Sequence, residues 1–323
     1  MITRLSATTT AQIVSELLEH SGSAGASRVL TLVIPTDDQG LEEALCAAHG
    51  ASRDHPCRII AVVAPAAQGD GGAGQGHEAH GPAGSAGHLD AEIRVGHDAG
   101  AGETIVLRPW GEAAEHTDTL VVPFLLPDVP VVVWWPEQAP TVPSEDPLGR
   151  LGSTRITNTP AQEHPDRALA ALAPVSVRGD IDLAWTRITL WRAMVVTTLD
   201  SALRGGRVER ITITGQPENS SVSLMAAWLG LRLGVEVTRL DEQGFLGIAT
   251  ITAHTSQGEI IIARHDHERV TITRPGTSEP QVVTMARREP VTTLNEELRR
   301  LTPDLVYHEV LTAFSQEYAH EQH

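Results

Sequence analysis

Two apolar runs of strand length with one helical segment between them constrain the first half of this chain more than any other feature. Arg28–Pro35 (RVLTLVIP) and Cys57–Pro65 (CRIIAVVAP) show almost no polar alternation. Each therefore reads as a strand buried on both faces. Asp37–His49 between them reads as a helix, with Asp37 or Asp38 as N-cap and Leu41, Ala44 and Leu45 turned inward. Strand, helix and strand in this order are the signature of a parallel sheet covered by helices.

The same reading extends along the chain. Residues 9–20 form an amphipathic helix through Ile13, Val14, Leu17 and Leu18. Residues 66–88 are dominated by Gly, Ala and His and read as a flexible surface loop. Strands resume at Leu89–Val95, Glu103–Leu107, Val129–Trp135 and Thr154–Asn158, with helices expected at Glu112–Asp118 and Pro165–Leu172. The Pro-rich stretch 136–148 is a loop. Pro174 and Gly179 then interrupt the pattern. The long helix that follows is capped by Asp180 or Asp182 and meets no Gly or Pro before Gly205.

Beyond it come a strand (Val208–Thr214), a helix (Asn219–Leu233) and a strand (Val235–Leu240). Phe245–Ala253, Glu259–His265 and Arg269–Arg274 follow at the short spacing of an antiparallel meander, and Val282–Arg287 adds a strand. Two helices close the chain, one opened by a Thr293/Glu296 capping box and one with Pro303 at N1. The fold class expected is α/β. A βαβ-type, mostly parallel sheet domain spans 1–175, and an α+β domain with an antiparallel meander and C-terminal helices spans 176–323.

Charge narrows the function. The 323 residues hold 24 Lys+Arg against 41 Asp+Glu, a formal net charge of −17. All the cationic side chains are Arg. Without lysine there is no Schiff-base chemistry and no P-loop lysine, and the acidic balance disfavours nucleic acid. No apolar run approaches a membrane span. The N-terminal segment lacks the apolar core of a secretory leader. Cys46 and Cys57 stand eleven residues apart, outside any CxxC, and read as reduced thiols of a cytoplasmic protein.

Motifs of catalysis are missing. No G-x-S-x-G occurs, and no carboxylate pair stands out. His77-Glu-Ala-His80 and His88 lack the i,i+4 spacing of a helical metal site, so no metal is expected. Glu103 stands where a P-loop needs Lys, and Gly100-x-Gly102 leads into a strand instead of a helix. That stretch reads as a hairpin turn, and no cofactor is expected. His265-Asp266-His267 reads as another turn.

Tryptophan does stand out. Aromatic residues make up 3% of the chain, yet six of the eleven are Trp. Trp134-Trp135 ends a strand. Trp185 and Trp191 lie on the long helix, in DLAWTRITLWR. Helical spacing puts Trp185 with Arg192 on one face and Arg187 with Trp191 on another. Such pairs serve a core helix whose guanidinium groups stack on indoles, or a docking surface, where Trp and Arg are enriched.

The segments GETIVL (Gly102–Leu107), VPFLLPDVPVVVWWP (Val122–Pro136), DLAWTRITLWR (Asp182–Arg192) and AWLGLRLG (Ala227–Gly234) resemble the OpcA family of glucose-6-phosphate dehydrogenase assembly proteins, in its actinobacterial type. The likeness runs over about residues 45–300. It implies a non-catalytic assembly factor and allosteric activator of that dehydrogenase, supporting NADPH production in the oxidative pentose phosphate pathway. The partner-binding candidates are then Asp182, Trp185, Arg187, Trp191, Arg192, Trp134, Trp135 and Trp228. Two other readings stay open. One is a sugar-phosphate-binding enzyme or sensor that uses the carboxyl-end crevice of the sheet, with Arg187 and Arg192 on the phosphate. The other is a homo-oligomer without a metabolic role.

Overall fold

The computed structural model describes residues 1–20, 28–65, 87–96, 102–203 and 206–321. Both apolar runs are parallel strands: β2 (Leu30–Thr36) pairs with β3 (Cys57–Val63) from Leu30↔Cys57 to Thr36↔Val63. Before them come β1 (Ile2–Leu5) and α1 (Thr10–His20), and between them α2 (Leu41–Ser52). After them come β4 (His88–Val95), β5 (Glu103–Trp110), α3 (Thr117–Val121), β6 (Val131–Trp134) and β7 (Thr154–Thr157).

These strands lie in the order β1-β4-β5-β3-β2-β6-β7. Pairing is parallel from β5 through β7 and antiparallel at β1–β4 and β4–β5. The chain leaves β2 toward β3 on one side and later returns to β6 on the other. The sheet is thus mostly parallel, with a switch point at β2. Ile13, Val33, Ile60, Ile105, Val133 and Trp135 share one core cluster. Each such side chain contributes about 1.5–3 kcal/mol on burial.

The second unit opens with α4 (Pro165–Leu172), β8 (Asp180–Asp182), α5 (Leu183–Arg187) and α6 (Thr189–Leu203). Its sheet consists of β9 (Val208–Gly215), β10 (Glu236–Asp241), β11 (Ile248–Thr255), β12 (Gly258–Arg264), β13 (Arg269–Thr273) and β14 (Gln281–Thr284), with α7 (Ser220–Leu233) between β9 and β10. The order is β10-β9-β11-β12-β13-β14, parallel at β10–β9 and antiparallel elsewhere. The meander is therefore present. Asn219 caps α7 by accepting from the Ser221 and Val222 amides, and Gly234 ends it in the left-handed conformation, φ 65°.

By contact the chain divides into Met1–Thr157 with Pro290–Leu301, and Asn158–Glu289 with Thr302–His323. Helix α8 (Pro290–Arg299) belongs to the first unit and packs on α2, where Asn295 donates to Asp54 at 2.6 Å. Helix α9 (Leu305–Glu321) belongs to the second and packs on α7 through a stripe that includes Tyr307, Val310, Leu311 and Phe314.

Several sequence expectations move. The regular turns of α2 start at Leu41, but Asp37 is the cap expected, its carboxylate accepting from the amides of Gln39 (2.9 Å) and Gly40 (2.8 Å) and its carbonyl from the Leu41 amide (3.1 Å). Glu112–Asp118 divides into a 3-10 turn, Gly111–Glu115, and α3, because His116 between them has non-helical φ −127°. Thr293 lies inside α8 and donates to the Pro290 carbonyl (2.9 Å) in place of capping. Asp304, accepting from the Tyr307 amide at 3.0 Å, starts α9 in place of Pro303.

The long helix is broken. Ile188 sits at φ −91°, ψ 5° between α5 and α6. Arg288 donates to the Thr186 carbonyl at 2.7 Å and so takes an acceptor that a continuous helix would use. Residues 66–86, and most of the Gly96–Gly102 turn, lie outside the described residues. The pairing Val95↔Glu103 makes β4 and β5 adjacent antiparallel strands.

Candidate docking site and the crevice of the first unit

Asp182 anchors the Trp/Arg segment. It is fully buried, caps α5 by accepting from the Ala184 amide (2.8 Å), and accepts from Thr159 through both hydroxyl (2.8 Å) and amide (3.0 Å). A carboxylate taken out of water needs such partners. One helical turn on, the Trp185 indole N–H donates to Asp304 at 2.9 Å. The Arg192 guanidinium lies 3.5 Å from the centroid of the Trp185 ring, and the Tyr307 ring stands 6.1 Å away at a tilt. Trp185 is therefore clamped within its own unit and only 1% exposed.

Trp191 is also buried. Its stacking partner is Arg264, at 5.4 Å, instead of the expected Arg187, since the break at Ile188 spoils the i,i+4 geometry. Arg264 donates to the carbonyls of Asp266, His267 and Met285. Burial, and then the nearby Arg287, press its guanidinium below the ordinary range, while Asp266 pulls the other way. Burial likewise lowers Arg187, against the charges of Asp182 and Glu289. Trp228 is buried on α7, and Trp134 and Trp135 are buried in the first unit.

The structure thus brings Trp185 to Arg192 and Arg187 near Asp182. It places the Trp134-Trp135 pair in the other unit. Sequence reasoning missed Thr159, Arg264, Arg288 and Asp304. They lie far along the chain from the residues they serve, and no local spacing announces them. His265-Asp266-His267 is the turn expected. Asp266 accepts from the Glu268 amide (2.9 Å) and the Arg269 amide (2.7 Å), and these bonds with the Arg269 side chain hold its pKa at about 2. Of the His-rich candidates, His77, Glu78 and His80 lie outside the described residues. His88 begins β4 and stacks on Trp110 at 5.9 Å.

What α6 presents outward is largely apolar. Trp191, Val195, Thr198 and Leu199 face the core, while Leu190 (42% exposed), Ala193, Val196 (56%) and Thr197 form the outer arc, which ends in the exposed carboxylate of Asp200. Large exposed apolar side chains on the outer side of a helix mark a candidate contact surface.

In the first unit, a crevice of about 530 Å³ opens at the carboxyl ends of β2, β3 and β6, on the switch point of the sheet. Crevices there commonly hold ligands. Its walls mix apolar and polar side chains, and its charged lining residues are Asp37, Glu137 and Asp146; among the described lining residues none is basic. A Cβ on Gly40 would fall 1.5 Å from Glu137 Oε1, which puts that carboxylate against the start of α2. Burial, Asp37 and Glu43 together raise the Glu137 pKa. The helix end that could receive a phosphate is already faced by two of the chain's own carboxylates.

Family comparison settles the chain's kinship. Residues 48–174 match the "glucose-6-phosphate dehydrogenase subunit N-terminal domain" and residues 178–311 the C-terminal domain of the same name, both of the OpcA assembly family. The chain belongs to the OpcA family. No curated protein matches at significance. Solved structures that align with the chain include a levoglucosan dehydrogenase in complex with NADH and L-sorbose, at 10% identity over 89% of this chain and 90% of that one, TM-score 0.41. An oxidoreductase from Sinorhizobium meliloti aligns at 10% identity over 92% and 90%, TM-score 0.41.

The OpcA-like segments have structural work to do in this chain. In Gly102–Leu107, a Cβ on Gly102 would stand 1.9 Å from the Cys57 carbonyl oxygen, so β5 can approach β3 only without one. Glu103, 2% exposed, accepts from Arg28 at 2.9 Å and also pairs with Arg58, whose other arm donates to the Phe124 carbonyl at 2.8 Å. One OpcA-like segment is thereby tied to the next, Val122–Pro136. In Asp182–Arg192, the named Asp, Trp and Arg form the cap and stack described above.

Proposed function

We propose that this chain is a non-catalytic assembly factor and activator of glucose-6-phosphate dehydrogenase, acting in the cytoplasm and so supporting NADPH supply. Membership of the OpcA family across both domains is the observation that carries this reading. The crevice chemistry supports it from the other side. A pocket whose charged lining is carboxylate repels the phosphates of a dinucleotide or a sugar phosphate. The sensor reading loses its grip there, since none of the described lining residues offers a guanidinium.

Docking in this proposal uses the outer arc of α6, with Leu190 and Val196 as its apolar contacts. Asp182, Trp185, Arg187, Trp191 and Arg192 act from beneath by fixing α5 and α6, while Trp228, Trp134 and Trp135 hold the cores of their units. Activation by five- to a hundredfold needs only about 1–3 kcal/mol of preference for the dehydrogenase's active state. The test titrates wild type and Val196→Glu into the purified dehydrogenase while following affinity and rate. Loss of at least about tenfold in affinity for the variant, with unchanged melting, is expected of a buried apolar contact. Equal binding by both would move the docking site elsewhere.

A further inference from the structure

The sheet of the second unit has two unlike faces. Ile211, Ile213, Ile251, Ala253, Ile260, Ile262, Val270 and Ile272 point to one side, and all are buried. Helix α7 lies on that side, since the Val237 methyl nearest Gly230 belongs to the same face. Strand alternation puts the remaining residues on the other side. Strand register orders that side into rows. One row runs Leu240, Thr214, Thr250, Ala263, Thr271, Val282 across all six strands. The next runs Thr238, Thr212, Thr252, Ile261, Thr273.

Not one of these residues is charged, in a chain of net charge −17. Each retains solvent exposure, up to 50% at Leu240 and 61% at Val282. Charge stands at the margins: Glu236, Arg210, His254 and Glu259 at one end, with His254 and Glu259 3.1 Å apart, and Arg269, beyond Thr271, at the other.

We infer that this open sheet face is where two copies of the chain pair about a two-fold axis. Three properties of the face select a second copy as the occupant. Elsewhere the acidic surface repels its own image, and here it does not. Threonine hydroxyls both donate and accept, so a threonine-rich face complements itself. An isologous contact needs that self-complementarity. Six strands spaced about 4.8 Å apart make the face roughly 24 Å wide from outer strand to outer strand. Three rows with their side chains then offer roughly 500 Å² per copy, about 1,000 Å² in all, which is the low end for a specific interface. An interface of that size suits a reversible dimer.

The inference does not depend on the dehydrogenase. Its test is sedimentation of the full chain alone over roughly 1–200 μM, a span that brackets micromolar dissociation constants. Wild type should pass from monomer to dimer. Thr252→Glu and Thr252→Arg, each setting like charges across the axis, should weaken pairing at least about tenfold. Mixed one to one, the two variants should pair again. Should either variant fail to fold, Thr250→Glu and Thr250→Arg, one row along the same strand β11, replace them. A monomeric wild type, a dimer indifferent to these charges, or a mixture that stays monomeric overturns the inference. So does a face whose variants lose only the dehydrogenase.

Discussion

Arg192 lies with its guanidinium carbon 3.5 Å from the centroid of the Trp185 ring, across the helix break at Ile188. That stack ties α5 to α6 across the point where the helix is interrupted. Trp185 in turn is fixed to Asp304 at the start of α9. Arg192→Ala removes the lid of the ring and should cost about 1–2 kcal/mol in chemical denaturation. Arg192→Lys should recover only part of it, since an ammonium stacks less well. A loss below measurement for both would mean the stack adds nothing to stability.

Gly102 has no room for a methyl group, because the Cys57 carbonyl oxygen stands 1.9 Å from where its Cβ would be. That neighbour is backbone of a central strand and cannot swing away. Gly102→Ala should therefore destabilise by about 1–3 kcal/mol. A melting temperature within error of wild type would contradict this packing.

The two thiols should separate cleanly. Cys57 is buried, and burial pushes its pKa up to about 12, so almost no thiolate forms at neutral pH. Cys46 is exposed. Native protein treated with a thiol reagent should show one fast equivalent, with the second appearing only on unfolding. Two equivalents at one rate would contradict the burial of Cys57.

Glu137 makes stability depend on pH in a definite sense. Burial and the neighbouring Asp37 and Glu43 raise its pKa in the folded chain. The folded state then holds a proton that the unfolded state has released. Stability contributed by this group is present below the unfolded carboxylate pKa and falls as pH rises toward the folded value. Glu137→Gln should abolish that decline and raise the melting temperature at pH 7 relative to wild type. A lower melting temperature at pH 7 would show that the charged form is favoured.

Much of the fold was legible in the sequence. Runs such as RVLTLVIP and CRIIAVVAP admit few structures besides buried parallel strands, and β2 and β3 are those strands. The 245–287 segment announces its meander through short, turn-punctuated strands. Helix starts were less legible. Asp37 reads as an N-cap and acts as one, but Thr293, which reads as another, lies inside α8 and donates to the Pro290 carbonyl. At the break before α6 the Thr186 carbonyl accepts from Arg288, about a hundred residues away, and no local pattern carries that.

For the candidate site, the sequence brought out Trp and Arg but not the direction in which they face. Stacking on an internal ring and docking on a partner ask for the same residue types. Only the positions of Asp304, Arg264 and Tyr307 show that Trp185 and Trp191 are enclosed. The outer arc of α6 is built of Leu, Ala, Val and Thr up to Asp200, and these residues in sequence look like more core.

The central claim is that this OpcA-family chain works by docking on glucose-6-phosphate dehydrogenase. The most direct measurement mixes the two purified proteins, follows the sizing-column profile, and assays the dehydrogenase at increasing ratios of the chain. The account predicts co-migration and a rate that climbs to a plateau, with no turnover by the chain alone. Separate elution with an unchanged rate at every ratio would contradict it.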